Sequence, residues 1–277
     1  MSKTYLDRCL KDDRILRWPN QAFPLAVFVA PFRWYEKSKQ QQSYQYNKLI
    51  TDALDTWTQL SGGLVSFRQV PSVHDSQIDI KWRRVDRKSL GHCEYSYTKE
   101  GVIYSAEIQI GISDGILHAR YNDIDEVKHT ILHEIGHALG IVGHSNGPED
   151  IMYVPHQYGV VNLSERDIET LRWLYRFPVG SNPLMAGQEF NLKPPFTVHD
   201  VIAHMSGDTQ PNQYQHPLAE TTRPSKQPQV LASHHDILTQ QGKFHLMTQN
   251  IQVDPSKKHS LLNARFRKQP PAPPPLS

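Results

Sequence analysis

The stretch HEIGHALGIVGHS holds His133, Glu134, His137 and His144. An α-helix turns once every 3.6 residues, so His133 and His137 leave the same face one turn apart and can meet one ion. Neutral imidazole nitrogens suit zinc. In the HExxH spacing the glutamate stays beside the metal as a base rather than becoming a ligand. Glu134 is therefore placed to take a proton from a water that the metal activates near neutral pH. Two histidines on a helix are often only solvated side chains. Here Ile131, Leu132, Ile135 and Leu139 turn the same segment toward a core, where an unpaired imidazole is costly.

A third ligand is expected close by. In the pattern HExxHxxGxxH it would fall at position 143, but Gly143 stands there and the histidine follows at His144. Gly140 tolerates the left-handed backbone that a tight helix exit needs. Beyond it, helical phase no longer constrains the chain. A turn through Ile141, Val142 and Gly143 can absorb one residue and return His144 to the metal, so the pattern reads HExxHxxGxxxH. A glutamate on a later helix, Glu165 or Glu169, is the alternative third ligand; it leaves Gly140 and His144 without a role.

The helix that positions the pair is expected to open at NDIDE, with Asp123 as cap and Glu126 three residues on, as in a capping box. Upstream, AVFVA at 26–30 is an apolar run bounded by prolines and reads as a strand. Residues 40–60 repeat apolar side chains at helical spacing, from Tyr46 through Ile50, Ala53 and Trp57, until Gly62 and Gly63 stop them. LVSFRQV at 64–70, QIDIKWR at 77–83 and AEIQIGI at 106–112 alternate as strands do. The order predicts an α/β fold with a mixed sheet.

With 30 basic and 28 acidic residues, the formal charge of +2 offers no footprint for nucleic acid. No segment is long and apolar enough to span a membrane. The N-terminus lacks a continuous apolar stretch, so a chain beginning natively here is expected in the cytoplasm. Two cysteines, Cys9 and Cys93, are too few for a disulfide framework and are expected to be free thiols. After Phe177 the composition shifts to Gln, Pro, Ser and His. The predicted division is an N-terminal extension over 1–14, a catalytic domain over 15–177, and a mostly irregular or disordered tail over 178–277. Within that tail, KFHLMTQNIQV at 243–253 can form a strand and VLASHHDILTQ at 230–240 a short helix. The PPAPPP end could give weak docking to a partner.

HEIGHALG, the following GHS and the downstream DIMY resemble a metzincin metallopeptidase, and within that group the matrixin-like enzymes. The resemblance implies a zincin-like α+β domain with a twisted mixed sheet, an active-site helix and a C-terminal helix. It implies one catalytic zinc held by His133, His137 and His144, with Glu134 as general base and proton shuttle. Met152 matches the methionine of the tight turn beneath the metal, where a thioether can pack under the ligands. GVIYSAEIQIG resembles the edge strand that pairs with an extended peptide. LSERDIETLRWLY resembles the C-terminal helix, with Ser164 as cap and Asp167 three residues on. The loop at 153–163 would shape the specificity pocket, with Tyr153, Pro155 and Tyr158 as candidate substrate contacts and His156 on its rim. The implied activity is zinc-dependent endopeptidase cleavage of proteins or peptides. The alternative is a catalytically inactive zinc-binding protein that acts as a peptide-binding module. The PRCG-type cysteine switch is missing. Calcium has no clear motif, with only Asp114 and Asp123 as candidates.

Overall fold

The structure, a computed structural model, describes residues 3–32, 40–84, 90–112, 124–207 and 247–252. Strand β1 (Leu25–Val29) is followed by the long helix α1 (Gln40–Leu60), then β2 (Phe67–Gln69), β3 (Ile78–Arg84), β4 (Gly91–Tyr97) and β5 (Ile103–Ile112). Helix α2 (Ile124–Ala138) carries the histidine pair, and α3 (Glu165–Arg176), α4 (Pro183–Glu189) and α5 (Val198–Ser206) follow. The sheet runs β2-β1-β3-β5-β4, parallel throughout except for antiparallel β4, and β6 (Met247–Gln252) lies parallel on the outer side of β4.

Alternation along the strands sorts the two faces. Ile78, Ile80, Ile108 and Ile110 are buried. Lys81 and Glu107 meet on the opposite face at 2.7 Å. The isoleucine face packs on the core, and the face carrying Lys81 and Glu107 is partly solvated. Helix α2 packs on β4 and β5, and α1 packs on α2.

Three aromatic donors fix α2 in place. The Trp57 indole of α1 donates to the Leu132 carbonyl at 3.1 Å, Trp18 to Ala138 at 2.7 Å, and the Tyr175 hydroxyl to Leu139 at 2.9 Å. The last two satisfy carbonyls that the end of a helix otherwise leaves without partners. Each ring also brings a large buried apolar surface to the helix.

The strands over 26–30 and 77–83, the helix over 40–60 and the motif helix form as expected, while the strand expected over 64–70 shortens to β2. Other expectations need correction. Strand β5 is interior, flanked by β3 and β4, and β6 outside β4 is the outermost strand on that side of the six-stranded sheet. The residues taken as an N-terminal extension are part of the core: Tyr5, Leu6 and Cys9 are buried, because a short 3-10 turn at Leu6–Arg8 folds them against α3. Residues 178–207 are not irregular. Asn182 caps α4 with Pro183 in its first turn, and Thr197 and Asp200 form a capping box for α5, so local hydrogen bonds start both helices despite proline-rich surroundings. Val198, Val201 and Ile202 of α5 join the core. The strand expected over 243–253 corresponds to β6; the short helix expected over 230–240 and the proline-rich end lie outside the described residues.

Buried hydrogen bonds from Thr4 and Tyr5 anchor the N-terminal segment to α3, among them the bond from the Tyr5 hydroxyl to Asp167 Oδ1 at 2.6 Å. Hydrogen bonds to charged groups contribute about 1.5–3 kcal/mol. Tyr5→Phe is therefore expected to lower unfolding free energy by about 2 kcal/mol in denaturant titrations, with the m-value unchanged.

Candidate metal centre

His133, Glu134 and His137 are all fully buried on α2. The ring centroids of His133 and His137 are 4.6 Å apart, and His144 stands 5.4 Å from the first and 5.0 Å from the second. One ligand nitrogen from each ring lies within 4.8 Å of the other two. His133 Nδ1–H donates to the Ile151 carbonyl at 2.7 Å, and His137 Nδ1–H to the Ile141 carbonyl at 2.6 Å. A carbonyl can only accept, so each of these rings keeps a lone pair at Nε2. Both Nε2 atoms are buried without a hydrogen-bond partner. Imidazoles oriented by a carbonyl on one nitrogen and left open at the other form the usual surroundings of a metal ion. Burial, followed by the neighbouring histidines, holds His133 and His137 well below the ordinary imidazole pKa, so both are neutral as ligands must be. The donor set fits a zinc ion.

The turn that returns His144 leans on the N-terminal segment. Gly140 has φ +105°, and a Cβ there would lie 2.4 Å from the Leu16 carbonyl oxygen. Its N–H and that of Ile141 bond back to His137 and Gly136 at 3.0 and 3.1 Å, closing the helix. A Cβ on Gly143 would stand 1.7 Å from the Arg8 carbonyl oxygen. The extra residue thus passes flush against the backbone of the Leu6–Arg8 turn, and His144 reaches the other two rings.

Beyond His144 the chain doubles back. Ser145 N–H bonds to Met152 O at 2.8 Å, and the buried Asp150 accepts from the Ser145 and Ser164 hydroxyls and pairs with Arg166 at 2.9 Å. Met152 is fully buried, and its sulfur sits so close under α2 that a Cβ on Gly136 would be 2.5 Å from it. Asp167 then reaches this turn from α3. It completes the predicted capping box with Ser164, and also accepts from Ile151 N–H at 2.9 Å and Met152 N–H at 3.4 Å. The Ile151–Met152 peptide is therefore held between the Asp167 carboxylate on its N–H side and the His133 imidazole on its carbonyl side.

Glu134 stands beside the cluster with both carboxylate oxygens buried and unpartnered. Burial pushes its pKa well above the usual carboxylate range, with Arg83 opposing. Gly91, at the start of β4, makes room for it, since a Cβ there would fall 2.4 Å from Glu134 Oε1. The positioning roles of Gly91, Tyr5 and Asp167 escape a reading of the sequence, although the Ser164/Asp167 spacing pointed to one of the bonds Asp167 makes.

The remaining candidates divide. Among the described residues the three histidines are the one metal-competent group, and Glu165 and Glu169 are not part of it. Asp114 and Asp123 lie outside the described residues, so the Asp123 cap does too. The carboxylate of Glu126, in the first turn of α2, bonds His156 Nε2 at 2.5 Å. This corrects the expected place of His156 on the rim, because its side chain is only 8% exposed. Tyr153 and Pro155 are half-buried after the turn, and Tyr158 is 72% exposed at the tip of the loop. Cys9 and Cys93 are free and buried, and burial raises both thiols far above their ordinary pKa, so neither offers a thiolate.

The sequence profile of the family described as Matrixin, in peptidase group M10, matches residues 30–176. Among curated proteins, none matches the chain.

The close passage at Gly143 gives a test of this construction. Gly143→Ala must displace backbone on one side or the other, and overpacking of this kind costs about 1–3 kcal/mol. Thermal melts should show that loss, and zinc titration should show weakened binding, because the same turn delivers His144.

Proposed function

The chain belongs to the matrixin family of metallopeptidases, and from that premise we propose that it is a zinc-dependent endopeptidase acting on protein or peptide substrates. The observation that carries this reading is a convergence of three imidazoles beside a buried carboxylate with two unpartnered oxygens.

His133, His137 and His144 would hold the ion. A zinc ion in such a site lowers the pKa of water to about 7 and polarises a carbonyl oxygen. The rest of the chemistry falls to the chain. Glu134 takes the proton of the attacking water on one oxygen and delivers it to the departing amine, so that the peptide bond breaks with a neutral leaving group. The Ile151 and Ile141 carbonyls keep His133 and His137 in the tautomer whose lone pair faces the ion. Met152 packs below without ligating. The loop at 153–163 borders the substrate side of the site. An intact Glu134 weighs against the inactive alternative, which would have no use for an unpaired carboxylate in a dry interior.

Zinc content and casein cleavage, measured on wild type and Glu134→Gln, test the reading. Both proteins should bind zinc, and cleavage should fall by about 10²–10⁴-fold in the variant. Equal cleavage by the two would remove Glu134 from the mechanism. A zinc-loaded wild type that leaves casein intact would favour the binding module. His144→Ala should weaken zinc binding by at least about a hundredfold, read by competition with a chelator dye.

A further inference from the structure

Gly91 opens β4 against the motif helix. A Cβ on it would fall 2.4 Å from Glu134 Oε1 and 2.7 Å from Thr130 Cγ2, so the first residue of this strand lies directly beside the proposed base. The inner side of β4 pairs with β5 from Gly91 to Tyr97. Its outer side pairs with β6, residue by residue from His92 with Met247 to Tyr97 with Gln252. That ladder is parallel, keeps one register throughout, and begins at the residue next to Gly91. Strand β6 has no other partner in the described sheet, and it returns from far along the chain, after α5 and residues 208–246. The sequence suits it to pairing. MTQNIQ carries no charge and falls in the proline-free window 229–254 of a proline-rich tail, so each of its residues keeps an N–H.

An unpaired strand edge is a row of open N–H and C=O groups, and an extended peptide is held by adding to such a row. Strand β2 stands at the far border of the sheet, with β1, β3 and β5 between it and β4. Strand β5 is paired on both sides. Among the described strands, β4 is therefore the one whose outer edge starts beside Glu134, and β6 fills that edge. One edge holds one strand, whichever way a competitor runs. A peptide laid on β4 with its scissile carbonyl at the metal centre needs the His92 end of the edge, which Met247 occupies.

We propose that residues 247–252 are a built-in competitor for substrate: β6 occupies the β4 edge on which an extended peptide lies to reach Glu134, and hydrolysis requires its departure. The inference rests on the peptidase reading. A strand tethered within its own chain acts at an effective concentration on the order of millimolar, so weak pairing suffices to keep out a dilute substrate. It is held along one side only, as the last strand of the described sheet, so its release leaves the other strand pairs intact. The apparent affinity for substrate falls by the fraction of chains whose edge is open. A peptide that pairs better, or that outnumbers the tethered strand, displaces it.

The test combines Gln249→Pro with Asn250→Pro in the full chain. Alternate N–H groups of a strand point to the same neighbour, so one of the two substitutions removes a ladder bond in either phase. With fluorescein-labelled casein, KM should fall at least about tenfold at unchanged kcat, and zinc content should stay that of wild type. A synthetic peptide of residues 245–254, added to the variant, should restore inhibition competitively at concentrations on the order of millimolar. The same peptide, labelled, should bind zinc-loaded Glu134→Gln at least about tenfold more tightly when the two prolines are present. Where wild type cleaves casein, equal or poorer cleavage by a zinc-replete variant overturns the inference and makes β6 an ordinary part of the sheet. Peptide that binds without inhibiting overturns it too. If neither protein cleaves casein, peptide binding decides. A difference between the two forms leaves the occupied edge standing and fails the peptidase reading, whereas equal binding overturns the inference as well.

Discussion

The Ile151–Met152 peptide group ties the site to the fold. Its N–H meets the Asp167 carboxylate and its carbonyl meets His133 Nδ1–H. A buried anion on one side polarises the peptide toward the imidazole on the other, which sharpens the orientation of that ring. Around this unit the structure must keep the His133 and His137 imidazoles and the Glu134 carboxylate in a dry interior, with part of their hydrogen-bonding capacity unfilled, and bring the half-buried His144 beside them. Such groups persist only when the surrounding backbone over-determines them. Here it does so with the Ile151 and Ile141 carbonyls, the Gly140 exit and the turn closed between Ser145 and Met152.

The constraint spreads outward through Asp167. This residue caps α3, fastens the turn below the ligands and accepts the Tyr5 hydroxyl, so three separate segments meet at one carboxylate. Burial raises its pKa, while the hydrogen bonds from Tyr5, Ser164 and Ile151 pull it down. Trp18 and Tyr175 approach α2 from the N-terminal segment and α3 respectively, and complete a cage of aromatic donors with Trp57. The precise spacing of the histidines is thus a property of the first eighteen residues and of α3 as much as of α2 itself.

Local chemistry was legible where it depends on spacing within one element. HExxH, the Gly140 exit, the Ser164/Asp167 capping box and the periodicity of α1 each require only neighbours a turn away. What was hidden depends on partners far along the chain. Strand β4 was missed because GHCEYSY opens with Gly91 and places His92 and Glu94 between its buried residues, so the alternation is short and mostly polar. The neighbouring β5, longer and richer in isoleucine, reads as an edge strand by resemblance, although both of its sides are paired. The N-terminal turn has no period to detect, since Tyr5, Leu6 and Cys9 are buried one by one against distant residues. His156 and Glu126 lie thirty positions apart, and nothing in either local sequence announces that they meet. Helices α4 and α5 were obscured by the prolines between them, although Asn182, Pro183, Thr197 and Asp200 are legible start signals in retrospect.

The bond between Tyr5 and Asp167 joins residues 162 positions apart. On a ribosome, Tyr5 emerges long before its partner, and α2 is complete while the segment that orients His133 is still being made. The carboxylate that fastens the turn below the metal centre can therefore be engaged only after α3 has been made. Closing so large a loop is entropically unfavourable until many contacts are made together, and topologies with such distant contacts fold slowly. Until that closure a nascent chain holds the HExxH helix without the Asp167 contacts that fasten the turn beneath it.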